Sequence, residues 1–169
     1  EGLPAARYDL LGSEPLRQEM YLPLNDWGAR FLVDPDAWEN AGGDVFGSRH
    51  FLRAASATVV VPLDIRATSA ITLDVEARAD GPARDSVDNV DRVTSLDVAL
   101  NGRPIGAVPL VIGVTQPARQ AFVLPAGSRV WRRGYNRVTI SKPPNVPSST
   151  QFLVFALRVG PTAASGQVR

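Results

Sequence analysis

Six residues in the first third of the chain bring together the two halves of a recognition chemistry. Trp27 and Trp38 offer flat apolar rings, while Arg30, Glu39, Arg49 and His50 offer charged donors and acceptors. A hydroxyl-rich ring has an apolar C–H face that stacks on an aromatic and a rim of hydroxyls that bond to guanidinium, carboxylate or amide groups. Against that reading, tryptophans in small domains are most often core residues with one polar partner. Trp131, within Ser128-Arg129-Val130-Trp131-Arg132-Arg133, is an alternative exposed platform. Its other reading is an edge-strand aromatic covered by arginine stems.

Covalent chemistry has little to work with. His50 is the only histidine, and no Gly-x-Ser-x-Gly elbow accompanies it, so the nucleophile, base and orienting acid of a hydrolytic triad are not recognisable. Glycoside hydrolysis needs two acids about 5 to 10 Å apart across a cleft. Glu14, Glu19, Glu39 and Glu76 are available without any pattern that pairs them. Asp34, Asp36 and Asp44 are hard oxygen donors of the kind that bind calcium, but their spacing is not an EF-hand loop and turn formation accounts for them. No cofactor is therefore expected, and a small hydrolase is the least favoured reading.

Composition narrows the partners. The 18 basic and 17 acidic residues give a net charge of +1, without the basic stripe that phosphate neutralisation demands, so nucleic acid is not an expected partner. All basic side chains but Lys142 are arginines, and cysteine is absent, which removes thiolate nucleophiles, disulfides and cysteine zinc sites together. No run approaches the ~18 apolar residues that cross a bilayer as a helix.

The elements that must position these residues are strands. Ile71, Leu73, Val75 and Ala77 alternate with Thr72, Asp74 and Glu76, the signature of a half-buried strand. Thr58 to Leu63 is apolar on both sides. Further strands are predicted at Ser95 to Leu100, Ala107 to Ile112, Gln120 to Leu124, Arg137 to Ser141 and Gln151 to Val159. Asn101-Gly102 between two such runs predicts a tight hairpin. The prolines of Lys142 to Pro147 exclude a central strand there.

Before residue 57 the pattern is irregular, with short strands expected around Gln18 to Leu22 and Arg30 to Val33 and a helical turn or two around Pro35 to Asn40. Asn40 to Asp44 reads as a loop, and Ala79 to Val93 as a long exposed one. About eight short strands without a long helix predict an all-β, two-sheet antiparallel sandwich.

The strand order, with Asn101-Gly102-Arg103-Pro104-Ile105-Gly106, Phe122-Val123-Leu124-Pro125-Ala126 and Arg133-Gly134-Tyr135-Asn136-Arg137-Val138-Thr139-Ile140, resembles galactose-binding-like jelly rolls. Domains of this kind, similar to carbohydrate-binding modules, are attached to bacterial cell-envelope glycosyltransferases and carbohydrate-active enzymes. The likeness covers roughly residues 57 to 141.

It implies a jelly-roll sandwich that is an accessory, non-catalytic module with a glycan or polysaccharide as partner, and with other domains of its polypeptide or an envelope assembly alongside. A structural or assembly domain of the same fold, contacting protein rather than sugar, is the alternative. The expected layout is one domain over residues 1–160, with an irregular entry over 1–56 and main strands over 57–160, followed by a flexible tail over 161–169. Glu1 in place of Met reads as a processed terminus or the edge of an excised domain. The resemblance implies a bacterial, extracytoplasmic location, in the periplasm or on the cell surface.

Overall fold

A computed structural model describes residues 16–24, 31–33, 35–44, 47–66, 68–81, 93–144, 146 and 149–162, with the backbone alone at 35, 39–44 and 47–51. Strict alternation lays down the strands that face one another across the core. In β5 (Ile71–Asp80) Ile71, Leu73, Val75 and Ala77 are buried while Thr72, Asp74 and Glu76 are half-exposed. In β6 (Val93–Leu100) Leu96, Val98 and Leu100 turn inward, and in β9 (Gly134–Ser141) Val138 and Ile140 do the same. β4 (Ser56–Leu63) contributes Ala57, Val59, Val61 and Leu63. Burying each large aliphatic side chain stabilises the fold by about 1.5–3 kcal/mol.

Among the described residues ten strands form two antiparallel sheets of jelly-roll type. The smaller has the order β4-β9-β6-β7, where β7 is Arg103–Val111. The larger has the order β2-β3-β10-β5-β8, where β2 is Trp38–Asp44, β3 is Gly47–Leu52, β8 is Ala118–Leu124 and β10 is Gln151–Pro161. β1 (Met20–Pro23) joins it by pairing with β10, from Met20 opposite Val159 to Pro23 opposite Ala156. Flanked on both edges, β10 is buried without interruption from Phe152 to Leu157.

The expected sandwich is present, and each strand predicted from residue 56 onward is found, with β7 starting at Arg103 where Ala107 is expected and β8 at Ala118 where Gln120 is. The larger differences lie earlier in the chain. Asn40 to Asp44 belongs to β2 rather than to a loop, because the backbone of β3 is there to pair with. Its Gly-rich run is accommodated by an irregularity between Asn40 and Gly43. The predicted helical segment shrinks to a 3₁₀ turn, Pro35–Ala37. Of the segment around Arg30 to Val33, the described part makes one bridge, Leu32 to Val59.

Of the expected tail, Pro161 closes β10 and the backbone N–H of Thr162 donates to Ala70 O at 3.0 Å, while residues 163–169 lie outside the described residues. Most of the expected loop at 79–93 lies outside the described residues, with β5 reaching Asp80 and β6 starting at Val93. No helix among the described residues is long and apolar enough to cross a membrane.

Candidate functional site

Two turns at one end of the smaller sheet lock together through a pair of asparagines. Asn101 and Gly102 have φ values of 52° and 80° and link β6 to β7 in a two-residue hairpin turn, the geometry that Asn-Gly adopts most readily. Asn101 is tied to β9 on both sides: its N–H donates to Arg137 O at 2.8 Å, and its Oδ1 accepts from the Arg137 N–H at 2.9 Å. Its Nδ2 donates to Val130 O at 2.9 Å and to Asn136 Oδ1 at 2.8 Å.

Asn136 is fully buried, a position an amide tolerates only when its polar atoms are partnered. Oδ1 also accepts from the Arg132 N–H at 2.9 Å, and Nδ2 donates to Arg132 O at 2.7 Å and Gly134 O at 3.1 Å. The segment from Val130 to Gly134 is thereby pinned over the end of the sheet.

A pocket of about 500 Å³ opens beneath that segment. Val138 and Ile140 point into the core, so Arg137 and Thr139 lie on the opposite, outer face of β9. Thr58 and Thr139 sit opposite each other on β4 and β9, with hydroxyl oxygens 3.0 Å apart. These three residues and the Asn101-Gly102 turn line the pocket from the sheet side, and Arg129, Val130, Trp131 and Arg132 line it from the pinned segment. Arg132 is oriented by donation from its Nε to Tyr135 O at 3.2 Å. Trp131 is buried, at 2% exposure. The arrangement offers hydroxyl and guanidinium groups on rigid strands, chemistry suited to reversible hydrogen bonding of a polar ligand.

The residues singled out from the sequence are scattered by comparison. Trp38 is only 5% exposed and belongs to the core cluster, next to Leu52 across the β2–β3 ladder. Its ring is therefore unavailable for stacking on a ligand. Trp131 is no exposed platform either, since the pinned segment folds it inward. Glu39 lies opposite Phe51, and His50 lies opposite both Asn40 and Val154, with Arg49 preceding it on β3. These backbones share one hairpin. Trp27 and Arg30 lie outside the described residues, as does Asp34 of the calcium candidates. Among the described residues no group of three or more His, Asp or Glu side chains is placed to hold a metal ion.

Of the residues lining this pocket, Trp131 alone is singled out from the sequence as a candidate ligand contact. The available signal was the density of arginine at 129, 132, 133 and 137 around a recognisable turn.

Two other surfaces have a different electrostatic character. On the outer face of the larger sheet, Tyr21 is 52% exposed, with the Arg158 guanidinium 5.1 Å from its ring centre. Asp74 pairs with Arg119 beside it, and this hydrogen bond and the attraction of the carboxylate raise the Arg119 pKa. The depression formed there with Glu76 is only about 20 Å³. A second pocket of about 330 Å³ contains the Asp64–Arg133 ion pair together with Gln18, Arg66 and Ser69. Positive and negative groups neighbour one another at both places.

No family model matches the chain, and no curated protein is similar to it. Solved structures share its fold. The CBM36-1 domain of a multidomain xylanase from the hindgut metagenome of Trinervitermes trinervoides is 11% identical, with a TM-score of 0.50 over 86% of this chain and 99% of that one. A family 6 carbohydrate-binding module of Clostridium stercorarium, solved with cellobiose, is 9% identical, with a TM-score of 0.51 over 89% and 99%. The mosquito-larvicidal Cry4Aa toxin of Bacillus thuringiensis gives a TM-score of 0.53 at 7% identity, covering 86% of this chain and 24% of the toxin. At these identities the likeness is one of fold. That fold is the β-sandwich of carbohydrate-binding modules, and the toxin carries it as well.

Proposed function

We propose that the chain is a non-catalytic glycan-binding module and that the pocket between the Asn101-Gly102 turn and the 129–132 segment contacts the sugar. The observation that carries this reading is the pocket itself. Its size of about 500 Å³ suits one or two sugar rings, and its hydroxyls and guanidiniums are held in place by the Asn101–Asn136 bonds. Binding would be reversible, with hydrogen bonds to ring hydroxyls in place of any covalent step.

The fold shared with xylanase-attached and cellobiose-bound modules supports the same reading. The sequence likeness to domains attached to envelope glycosyltransferases supports the further proposal that the module belongs to a larger bacterial, extracytoplasmic polypeptide. Trp27, Arg30, Glu39, Arg49 and His50 are proposed as further sugar contacts. Trp38 serves the core.

Thr139→Trp fills the pocket from the outer face of β9 and leaves the inner face of that strand untouched. A glycan array followed by calorimetric titration is expected to find a ligand whose affinity this variant lowers at least tenfold, with an unchanged circular dichroism spectrum. Trp27→Ala in the same titration reports on the further contacts. Failure of the folded wild type to bind any broad glycan class would overturn the proposal in favour of a protein-contacting assembly domain.

A further inference from the structure

Arginines occur all over this chain, but their company differs from place to place. On the outer face of the larger sheet Arg119 is paired with Asp74, and Glu76 lies beside them. In the 330 Å³ pocket Arg133 is paired with Asp64. The 500 Å³ pocket departs from this pattern. Arg129 and Arg132 line it, and among its described lining residues none is acidic. The net charge of the whole chain is only +1, so this concentration is local. A guanidinium presents a planar fork of donors that matches a carboxylate or sulfate edge, and its charge persists at every physiological pH.

The neutral half of the pocket is equally specific. Thr58 and Thr139 share one hydrogen bond between their hydroxyls. One hydroxyl proton and several lone pairs thus remain to meet a sugar hydroxyl. Arg132 is anchored through Nε to Tyr135 O, which aims the guanidinium without using its terminal nitrogens. The side-chain amide of Asn101 is engaged with Val130, Asn136 and Arg137, so it serves the architecture more than the ligand.

We infer that this pocket selects an acidic glycan, one whose sugar carries an exocyclic carboxylate or sulfate ester received by the arginines while its hydroxyls meet the threonine pair. The inference rests on the glycan-binding reading and names the ligand class of the same site. Arg129 and Arg132 are exposed, so their contribution is screened by salt.

The test is calorimetric titration with hexuronic acid oligomers built on glucuronate, galacturonate and mannuronate. Each is compared with its carboxyl-reduced neutral counterpart and with a sulfated version of that neutral oligomer, in 20 mM and 300 mM NaCl. At least one anionic oligomer is expected to bind ten times more tightly than its neutral form at low salt, with that preference shrinking at high salt. Whether carboxylate or sulfate ranks first identifies the group. Arg129→Gln with Arg132→Gln should lower anionic affinity at least tenfold more than neutral affinity. Removing the same two charges on the opposite sheet, by Arg119→Gln with Arg158→Gln, should leave the preference intact.

Equal binding of charged and neutral oligomers overturns the acidic assignment and keeps the module reading. A preference that the pocket variants do not reduce, or that the opposite-sheet variant abolishes, also overturns it. Absence of binding to every oligomer, neutral forms included, overturns both.

Discussion

A buried asparagine is the residue on which the pocket depends. Asn136 shares its Oδ1 between Asn101 and Arg132 and its Nδ2 between Arg132 and Gly134. Replacing it with alanine takes these partners from the N–H and C=O of Arg132 at the place where the fully buried Asn136 side chain meets them. An orphaned buried polar group costs about 1–3 kcal/mol. Asn136→Ala is therefore expected to lower unfolding stability by about 2–4 kcal/mol in urea titrations. It should also weaken ligand binding in the variant that remains folded, because Arg132 and Trp131 lose their anchor. A loss under about 0.5 kcal/mol would show that the network is incidental.

The turn around Gly134 and Asn136 is legible from residue types, since glycine supplies the φ of 110° seen there. The partner of Asn136, 35 residues away on another turn, is not legible, because a turn signal carries no information about what the turn touches. The tryptophans show the same limit. Trp38 and Trp131 are 5% and 2% exposed, yet an indole suits a core and a sugar platform through the same apolar face. Residue type alone cannot choose between them.

At the scale of elements, the β6–β7 hairpin contains two glycines with different duties. Gly102 has a φ of 80°, and a side chain added there would meet nothing within 4 Å. Gly106 has a φ of 147°, and an added Cβ would lie 2.8 Å from Cε1 of Phe122 on β8. It also adjoins the irregularity at which Val98 pairs with Gly106 and Ala99 with Pro104. The missing side chain lets a ring from the larger sheet rest against the smaller one.

Gly102→Ala should thus cost about 1 kcal/mol, the backbone penalty alone. Gly106→Ala should cost about 2–4 kcal/mol, from backbone strain plus overpacking. A double-mutant cycle with Phe122→Leu separates the two terms, since the smaller side chain is expected to recover part of the Gly106→Ala loss and none of the Gly102→Ala loss. Equal costs for the two alanines would refute the packing role. The Asn-Gly signal and the alternation in β5 made such elements readable, because each depends on neighbouring residues only. β2 was unreadable for the opposite reason: Asn40 to Asp44 has a loop's composition and is held extended by pairing to β3, a tertiary effect that overrides local preference.

At the scale of the whole molecule, the two sheets stand or fall together. β1 lies far in sequence from its partner β10, yet Met20, Leu22 and Leu24 are at most 3% exposed and belong to the same cluster as Val59, Val138 and Ile140 of the smaller sheet. Removing these three side chains from the core forfeits about 1.5–3 kcal/mol each. Their sum is comparable with the entire net stability of an ordinary domain, about 5–15 kcal/mol. Deleting residues 1–24 also bares the edge of β10, whose N–H and C=O groups would then have to find water or another chain. The truncated chain is expected to lose a sharp urea transition and to bind an apolar dye. It should also lose affinity at the Arg129–Arg132 pocket, although none of the described residues lining that pocket has been removed. Retention of the wild-type transition midpoint would mean that the smaller sheet folds without β1. Loss of dye exclusion with intact ligand binding would mean that the two faces of the sandwich do not share one cooperative core.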